Sequence, residues 1–591
     1  MIDWKKITVA LLTVILLPLV ACQAPTENHA HDAGSEDIPG LGPAATFERT
    51  DEVGADLVVL NGKIVTMADG QPEVEALAAT GGRIVALGTQ ADVAAQIGEQ
   101  TEVVDLRGRL AIPGFIEAHA HFMGLGDSLI QLDLRQANNW DDIVAMVEKA
   151  AADAAPGDWI RGRGWHQDKW SAAPEPNVEG FPLHESLSAV SPDNPVLLTH
   201  ASGHASFVNA KALEMAGIDD STADMEGGEI LRDANGKATG LLRERAAGLV
   251  SRLREVPPES EQRRMAELAS RESLQNGITS FQDAGSSYDT IAFLKQLAEE
   301  GGLGVRLWMM IRASEEEHRE KLAATLTKEH ANGMFAVSGI KISLDGALGS
   351  RGAWLLEPYT DSPDSTGLNT ASLEYTRNVA QLAIDHGYQL CIHAIGDRAN
   401  REVLDIYEET FKANPDATDL RWRVEHAQHL HPDDIPRFGE LDVIASMQGV
   451  HCTSDGPWVP DRLGDQRTEE GAYVWQKLLQ SGAVIINGTD APVEDISPIA
   501  SYYSSVSRRL PDGSIFYGDQ RMQRLEALKT YTIAAAYGVF QEDEKGSLEV
   551  GKLADITVLS QDILTVAEEE IPKTEIVKTI LGGEVVYSGE G

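Results

Sequence analysis

The chain has 591 residues, with 49 Lys and Arg against 92 Asp and Glu, so its formal net charge is −43. A chain of this length can bury a large core, and it suits one large domain with a smaller one attached. So strong a negative charge repels phosphate backbones and anionic lipid surfaces, which argues against nucleic acid as a partner.

The N-terminal end predicts export. An apolar run over 7–20 is too short for a membrane-spanning helix and leads into the tetrapeptide Leu-Val-Ala-Cys, which ends at Cys22. This resembles the lipobox of bacterial lipoproteins, which implies a signal peptide over 1–21 and lipidation of Cys22. The alternative is an ordinary signal peptide. Because Gln23 follows the cysteine, the resemblance implies anchoring in the outer membrane, facing the periplasm.

The two ends of the mature chain predict one small domain. Residues 22–52 are rich in Pro, Gly, Ala and acidic residues, and this composition is typical of a flexible tether. Short strand-like runs broken by glycine turns then occupy 53–113, and similar runs occupy 545–591. We therefore expect a small β-sandwich domain formed by both chain ends.

The middle of the chain, 114–544, predicts an α/β fold of the (β/α)8 TIM-like barrel type. Eight strand-like runs are mostly separated by helix-length segments, as such a barrel requires. These runs are Gly114–His121, Gly277–Asp283, Val305–Ile311, Val337–Asp345, Tyr388–His393, Trp422–His426, Val443–Gln448 and Ala483–Asp490. The gap over about 124–265 is too long for one crossover helix, so it predicts a large insertion after the first barrel strand.

Two histidines end the first of these runs. His119 and His121 are two positions apart, so on a strand their side chains project from the same face. A barrel's active site lies at that end of its strands. A pair of loop histidines with ordinary hydrogen bonds is the alternative.

Lys341 lies in a run where apolar residues alternate with Lys341, Ser343 and Asp345, which places the lysine inside the barrel. A buried ammonium is costly unless it is paired or neutralised. The structural interpretation is an ion pair with Asp345 or Asp490. The functional one is a lysine that carries CO2 as a carbamate and bridges two metal ions.

Three further strand ends carry metal-ligand residue types: His393, His426 and Asp490. Any one of them could be a core polar residue with its hydrogen bonds satisfied. Imidazole nitrogens together with anionic oxygens suit a borderline metal such as Zn²⁺. The pattern therefore predicts a centre with one or two zinc ions, or another divalent metal.

Several motifs resemble the amidohydrolase superfamily, and in particular its YtcJ-type branch, which includes N-substituted formamide deformylases. The matching segments are 112–121, 341–354, 393–397, 424–428 and 546–555. The resemblance implies that His119, His121 and Asp490 hold one metal, that His393 and His426 hold the other, and that carbamylated Lys341 bridges them. His166 and the Gln448-Gly449 pair depart from the branch pattern, which bears on the shape of the substrate pocket.

The resemblance implies hydrolysis of a non-peptide carbon–nitrogen bond of a small amide-type substrate, with Asp490 as the general base and acid. Candidate substrate-binding residues are His204, Asp345, Arg351 and Trp165, although each also has a structural interpretation. Hydrolysis of a cyclic amide, an amidine or an ester is an alternative, as is a non-catalytic binding or scaffold relative. We expect membrane contact only through the lipid anchor, leave a homodimer open, and expect Cys391 and Cys452 to be free thiols.

Overall fold

The fold is described from a computed structural model that covers residues 42–45, 47, 49, 54–253, 256–331 and 333–589. The predicted signal peptide, Cys22 and most of the predicted tether lie outside these residues. Within the described ranges, no helix has both the length and the apolar character needed to cross a membrane.

The first described part of the chain consists mainly of short strands. Leu57–Leu60 is fully buried, and Asn61 makes the following turn with a φ of 62°. The elements are β1 (Leu57–Leu60), β2 (Lys63–Val65), β3 (Glu73–Val74), β4 (Ala76–Thr80), β5 (Arg83–Gly88), α1 (Gln90–Val93), β6 (Glu102–Asp105) and β7 (Leu110–Pro113). Four of the strands form a sheet in the order β5-β4-β1-β6.

The first barrel strand is followed by an inserted sheet. The elements are β8 (Phe115–Ala120), α2 (Phe122–Ser128), β9 (Leu132–Asp133), α3 (Trp140–Asp153), β10 (Ile160–Trp165), β11 (Asn177–Val178), β12 (Phe181–Pro182), α4 (Glu185–Val190), β13 (Val196–His200), β14 (Ala205–Val208), α5 (Ala210–Ala216), β15 (Gly228–Arg232), β16 (Ala238–Glu244) and α6 (Gly248–Ser251). The inserted sheet is mixed, in the order β15-β16-β14-β13-β10-β9. Its core is rich in aromatic side chains.

The rest of the barrel alternates strands with helices. The elements are α7 (Glu259–Gln275), β17 (Ile278–Ser286), α8 (Tyr288–Glu299), β18 (Arg306–Ile311), α9 (Glu315–Thr325), β19 (Thr327–His330), β20 (Phe335–Ser343), α10 (Leu373–His386), β21 (Gln389–Ala394), α11 (Asp397–Ala413), β22 (Arg423–His426), α12 (Ile435–Glu440), β23 (Ile444–Gln448), α13 (Gly449–Asp455), α14 (Val459–Leu463), α15 (Asp465–Gly471), α16 (Trp475–Gln480) and β24 (Ile485–Gly488). Neighbouring barrel strands pair in parallel in the order β24-β23-β22-β21-β20-β18-β17-β8.

The seam between β24 and β8 nearly closes this barrel. The amide of Asp490 donates to the carbonyl of His119 at 2.7 Å. The buried carboxylate of Glu117 accepts hydrogen bonds from the amide and hydroxyl of Thr489 and from the amide of His119. A Cβ at Gly488 would lie 2.6 Å from the His119 nitrogen, so only glycine lets the two chains approach this closely. The seam therefore fixes Asp490 beside the end of β8.

The chain then returns to the small domain. The last elements are α17 (Pro498–Ser507), α18 (Arg524–Thr530), α19 (Ile533–Tyr537), β25 (Ile556–Leu559), β26 (Ile576–Leu581) and β27 (Glu584–Ser588). A second sheet in the order β27-β26-β25-β7-β2-β3 joins strands from both parts of the chain. Apolar residues of this sheet and of the first one form a single buried cluster. Both chain ends thus contribute to one small β-rich unit.

Each predicted barrel run overlaps one of the eight parallel strands, and this barrel fits the predicted TIM type. Some runs extended past the strand ends into polar residues such as Asp345 and Asp490, whereas β17, β20 and β21 extend past their predicted runs. Cys391 and Cys452 are both buried, and the structure shows them as free thiols.

Candidate metal centre

Ligand-type side chains from across the barrel meet at the carboxyl ends of its strands. His119 is the fifth residue of β8, His426 is the last residue of β22, and Asp490 follows β24. One ligand atom from each of these three buried residues can be chosen so that all lie within 4.8 Å of one another. His426 and Asp490 have φ values of 76° and 59°, so the regular strand geometry has ended where their side chains turn to the centre.

Asp490 faces both histidines of the first strand. Its Oδ1 atom lies 3.2 Å from His121 Nε2 and 3.6 Å from His119 Nε2. This oxygen is buried and accepts no hydrogen bond from the described residues. Although burial opposes ionisation, the close contact with His121 and the nearby imidazoles hold the pKa of Asp490 well below its usual range. An ionised oxygen with an open lone pair is what a metal ligand requires.

A buried chain of polar groups orients His119. Its Nδ1 atom is in a short hydrogen bond with Glu425 Oε2, and Glu425 Oε1 lies 2.7 Å from Arg423 Nε. Burial opposes ionisation of Glu425, but the charge of Arg423 and the contact with His119 hold the pKa of that carboxyl well below its usual range. Burial, reinforced by Lys341, lowers the pKa of His119 to about 4. A neutral His119 that donates from Nδ1 leaves Nε2 free for a metal.

His426 is held in the same way. Its Nδ1 atom lies 2.7 Å from the side-chain oxygen of Gln448, and an amide oxygen can only accept, so the imidazole donates from Nδ1. His393 packs against it with ring centroids 4.4 Å apart. The Nε2 atom of His393 is buried and lies 3.3 Å from Asp345 Oδ1, but it makes no hydrogen bond with a described residue. The pKa values of both imidazoles fall well below normal, chiefly because of burial.

Lys341 extends into the same centre from β20. Its Nζ atom lies 3.4 Å from His119 Nε2, and the side chain is 2 % exposed. Neither of the ion pairs considered from the sequence, with Asp345 or Asp490, is present among the described residues. Burial lowers the pKa of Lys341 to about 8, against the opposing charge of Glu425. The lysine therefore lies beside the imidazoles without a neutralising contact.

A large cavity of about 1070 Å³ opens over the centre. It is lined by His121, Lys341, His393, His426 and Asp490 together with side chains of the insertion. This volume is at the upper end of the range typical for small-molecule sites.

Two of the predicted substrate-binding residues line this cavity. The His204 ring lies 5.1 Å from the His393 ring, and its Nδ1 atom contacts Glu244 Oε2 at 2.8 Å. Although burial opposes it, Glu244 raises the pKa of His204. Asp345 accepts hydrogen bonds from the amides of Trp354, Ile395 and Gly396, so its carboxylate holds two loops in place. Burial raises the pKa of Asp345 to about 7 against those hydrogen bonds.

The other two predicted substrate-binding residues are not brought to the cavity. Arg351 pairs with Asp361 at 2.9 Å and lines a separate depression. Trp165 is 1 % exposed, donates its indole N–H to the Leu198 carbonyl, and packs in the aromatic core of the insertion. The alternation of apolar and polar residues in the sequence indicates which side chains are buried. It cannot distinguish a side chain in a pocket wall from one in the hydrophobic core.

Comparison with known proteins places the chain in a family. The family model described as "Amidohydrolase family" matches residues 102–587. The chain belongs to the amidohydrolase family. This amidohydrolase is 34% identical over 545 residues to Protein LONG AFTER FAR-RED 3 of Arabidopsis thaliana, covering 90% of this chain and 92% of that one.

Two further relatives and one solved structure are similar over most of the chain. Putative amidohydrolase YtcJ of Bacillus subtilis is 31% identical over 89% of this chain and 98% of its own. N-substituted formamide deformylase of Arthrobacter pascens is 26% identical over 91% of this chain and 99% of its own. An uncharacterized metal-dependent hydrolase from Pyrococcus horikoshii superposes with a TM-score of 0.70 at 26% identity, covering 87% of this chain and 99% of that chain. Together with the ligand cluster, these matches support a metal-dependent hydrolase.

The sequence interpretation of this amidohydrolase missed the residues that orient the ligands. Arg423 and Glu425 are fully buried charges at alternate positions of β22. The same signal led to Lys341, since a charged residue at alternate positions of an apolar strand points into the barrel. Gln448 was noted only as a departure from the branch pattern that bears on the pocket and does not touch the ligands. The structure corrects this, because Gln448 hydrogen-bonds to His426.

Proposed function

We propose that this chain hydrolyses a carbon–nitrogen bond other than a peptide bond, in a small amide-type substrate. The observation that carries the proposal is the convergence of His119, His426 and Asp490 on one point beneath a large cavity. An N-substituted formamide is the first substrate class to test, because a relative covering 91% of this chain is named a deformylase of such compounds.

The residues present fit a divalent metal. The buried Nε2 of His393 and Oδ1 of Asp490 have no hydrogen-bond partner among the described residues, and the Nδ1 atoms of His119 and His426 are already in use. We propose zinc, since imidazoles and a carboxylate suit it, held by His119, His121 and Asp490 with His393 and His426 completing a second site. Carbamylated Lys341 would bridge the two. When bound, the metal would polarise the scissile carbonyl and make a water molecule more acidic.

The chain itself supplies orientation and proton transfer. Glu425 and Arg423 hold the His119 ring in one orientation, and Gln448 does the same for His426. Asp490 is placed to accept the proton of the attacking water and to deliver it to the leaving nitrogen. Its contacts with His119 and His121 keep it ionised against the effect of burial and fix it for that role.

Two other functions remain as alternatives. Hydrolysis of a cyclic amide, an amidine or an ester would use the same centre, because the family does not fix the substrate. A non-catalytic binding or scaffold protein would not need the ligand set, and every predicted ligand is present.

The test is metal analysis combined with a substrate screen. We expect the purified protein to contain close to stoichiometric zinc and to release formate from N-benzylformamide. A chelator should abolish turnover and added zinc should restore it. The variant His426→Asn should lose metal, whereas His330→Asn should retain it, because His330 contacts only Glu299 on the surface. Metal-free active protein would overturn the proposal; metal with turnover of cyclic amides alone would favour the alternative.

We propose further that the protein is exported and anchored in the outer membrane, facing the periplasm, through a lipid on Cys22. The apolar run over 7–20 and the small residues before the cysteine support this. The wild type should incorporate radioactive fatty acid and stay with the outer membrane, whereas the variant Cys22→Ser should incorporate none. A wild-type protein that fractionates as soluble would overturn it.

The domain limits are part of the same proposal. The shared buried cluster of the two terminal sheets supports a β-sandwich built from 53–113 and 545–591. A barrel over 114–544 carries the active site, and its insertion over about 124–265 supplies part of the cavity wall. We expect a small-molecule substrate and no nucleic acid, and a homodimer is the oligomer to test.

A further inference from the structure

Four arginines that line the cavity above the metal centre form no ion pair with a described residue: Arg163, Arg245, Arg252 and Arg312. We consider three of them, Arg163, Arg245 and Arg312. Arg312 follows β18, Arg163 lies on β10 and Arg245 follows β16, so they come from the barrel and from two parts of the insertion. Arg245 and Arg312 are exposed to the cavity, and Arg163 is half-buried. None of the three forms an ion pair with a described residue. Arg163 donates only to the carbonyls of Pro492 and Ala201.

The carboxylates that line the same cavity are already engaged. Asp127 pairs with Arg161 at 2.5 Å, and Glu244 contacts His204 at 2.8 Å. Asp345 accepts backbone hydrogen bonds, and Asp490 faces His119 and His121. None of these four carboxylates forms an ion pair with Arg163, Arg245 or Arg312, although the charge of Asp490 acts on Arg163 and Arg312 from a greater distance.

One of these arginines lies next to the metal centre. A Cβ at Gly285 would be 3.0 Å from the Nε atom of Arg312 and 3.0 Å from the Cβ atom of Lys341. Arg163 lies near Asp490, since its Nε donates at 3.1 Å to the carbonyl of Pro492, two residues after Asp490. A substrate whose scissile bond lies at the centre would share the cavity with these guanidinium groups.

Several other arginines of the molecule differ from the three in the cavity. The chain has 92 acidic residues, and several buried arginines elsewhere pair with carboxylates, as Arg306 does with Asp555 and Arg243 with Glu229. Buried Arg508 instead donates to the backbone carbonyls of Phe516 and Tyr473. A guanidinium group is suited to bind carboxylate or phosphate through two parallel hydrogen bonds. Among the residues that line the cavity there is no tryptophan, and Tyr375 is the aromatic residue other than histidine.

We infer that the substrate is an amide that carries an oxyanion, a carboxylate or a phosphate, which Arg312, Arg245 and Arg163 bind. This rests on the proposed function, because it names the substrate class of the same site. The net charge of −43 repels anions at long range, so the arginines would act at short range, inside the cavity. An uncharged, apolar formamide would leave them without a partner.

Binding tests the inference without requiring turnover. Benzylacetone is a carbon isostere of N-benzylacetamide and cannot be hydrolysed at an amide. The charged probes are benzylacetones with a carboxylate or a phosphonate at the meta or para position of the ring. We expect the metal-loaded protein to bind the best of these charged probes at least about tenfold more tightly than benzylacetone itself, measured by calorimetry. The variants Arg312→Gln and Arg245→Gln should lose this preference. Arg319→Gln should keep it, because Arg319 pairs with Glu315 on the surface. Equal binding of charged and neutral probes would overturn the inference.

Kinetics separate the inference from the proposed function. We expect kcat/KM for carboxylated N-benzylformamides to exceed that for N-benzylformamide by about tenfold, and Arg312→Gln to remove this preference. Turnover of neutral and charged formamides at equal rates would support hydrolysis and refute anion recognition. Preferential binding of the charged isostere with no turnover of any amide would support anion recognition and refute amide hydrolysis. A preference for carboxylate over phosphonate, or the reverse, identifies the oxyanion.

Discussion

Asp490→Asn should lower kcat by about 10⁴-fold, the upper end of what one positioned acid–base group contributes. Asparagine keeps the shape of the side chain but cannot accept the proton of the attacking water. It is also a poorer ligand than a carboxylate. The measurement is kcat on the substrate found in the screen, with metal content determined on the same preparation.

The matched control for this variant is Asp433→Asn. Asp433 has a side chain 85% exposed and lies 3.6 Å from His431 on the surface, so the same chemical change there should leave kcat unaltered. Both variants should unfold in one cooperative transition, because the amide of residue 490 still donates to the His119 carbonyl across the barrel seam. Normal turnover by Asp490→Asn would refute the assignment of Asp490.

Glu425→Gln should weaken metal binding by about 10–100-fold, the usual cost of losing a carboxylate that orients a histidine ligand. It should also lower the free energy of unfolding by about 3–5 kcal/mol, because Arg423 is left buried without an opposing charge. Arg423, Glu425 and His119 are all 0% exposed, so solvent screens this interaction little. Metal affinity by competition with a chelator and denaturant unfolding of the metal-free protein measure the two effects separately.

The matched control is Glu408→Gln on α11. Glu408 pairs with Lys412 and Arg437 at the surface, where solvent screens an ion pair and its contribution to stability is small. The double variant Arg423→Met with Glu425→Gln should recover part of the lost stability, because it removes the uncompensated charge, but metal affinity should stay low. If Glu425→Gln binds metal as tightly as the wild type, the series of polar contacts from Arg423 through Glu425 to His119 has only a structural role.

Much of the barrel and of its ligand set was predictable from local patterns. The alternation of apolar and polar residues around Lys341 depends only on the pleat of one strand, and so does the shared face of His119 and His121. A parallel barrel brings the carboxyl ends of its strands together whatever the loops do, so ligands at the ends of β8, β21, β22 and β24 had to converge.

Other features depended on contacts between remote parts of the chain. From the sequence, Trp165 and Arg351 were as suitable for the substrate pocket as His204. Of these three residues, the fold brings only His204 to the cavity. Arg163 and Pro492 are 329 positions apart, and no local pattern predicts that pair. Strand alternation alone would point His426 to the opposite face from its neighbour Glu425. The positive φ of His426 instead turns its side chain toward the centre.

By itself, the sequence determined the strands, the residues that face the barrel interior and the chemistry of the ligands, because these follow from periodicity over a few residues. Only the tertiary structure decided which polar groups are left without partners. Whether Arg312 or Arg245 meets a carboxylate depends on how the insertion packs over the barrel, and that packing joins residues far apart in the chain. The proposed metal chemistry thus follows from local sequence, and the proposed anion recognition follows from the fold.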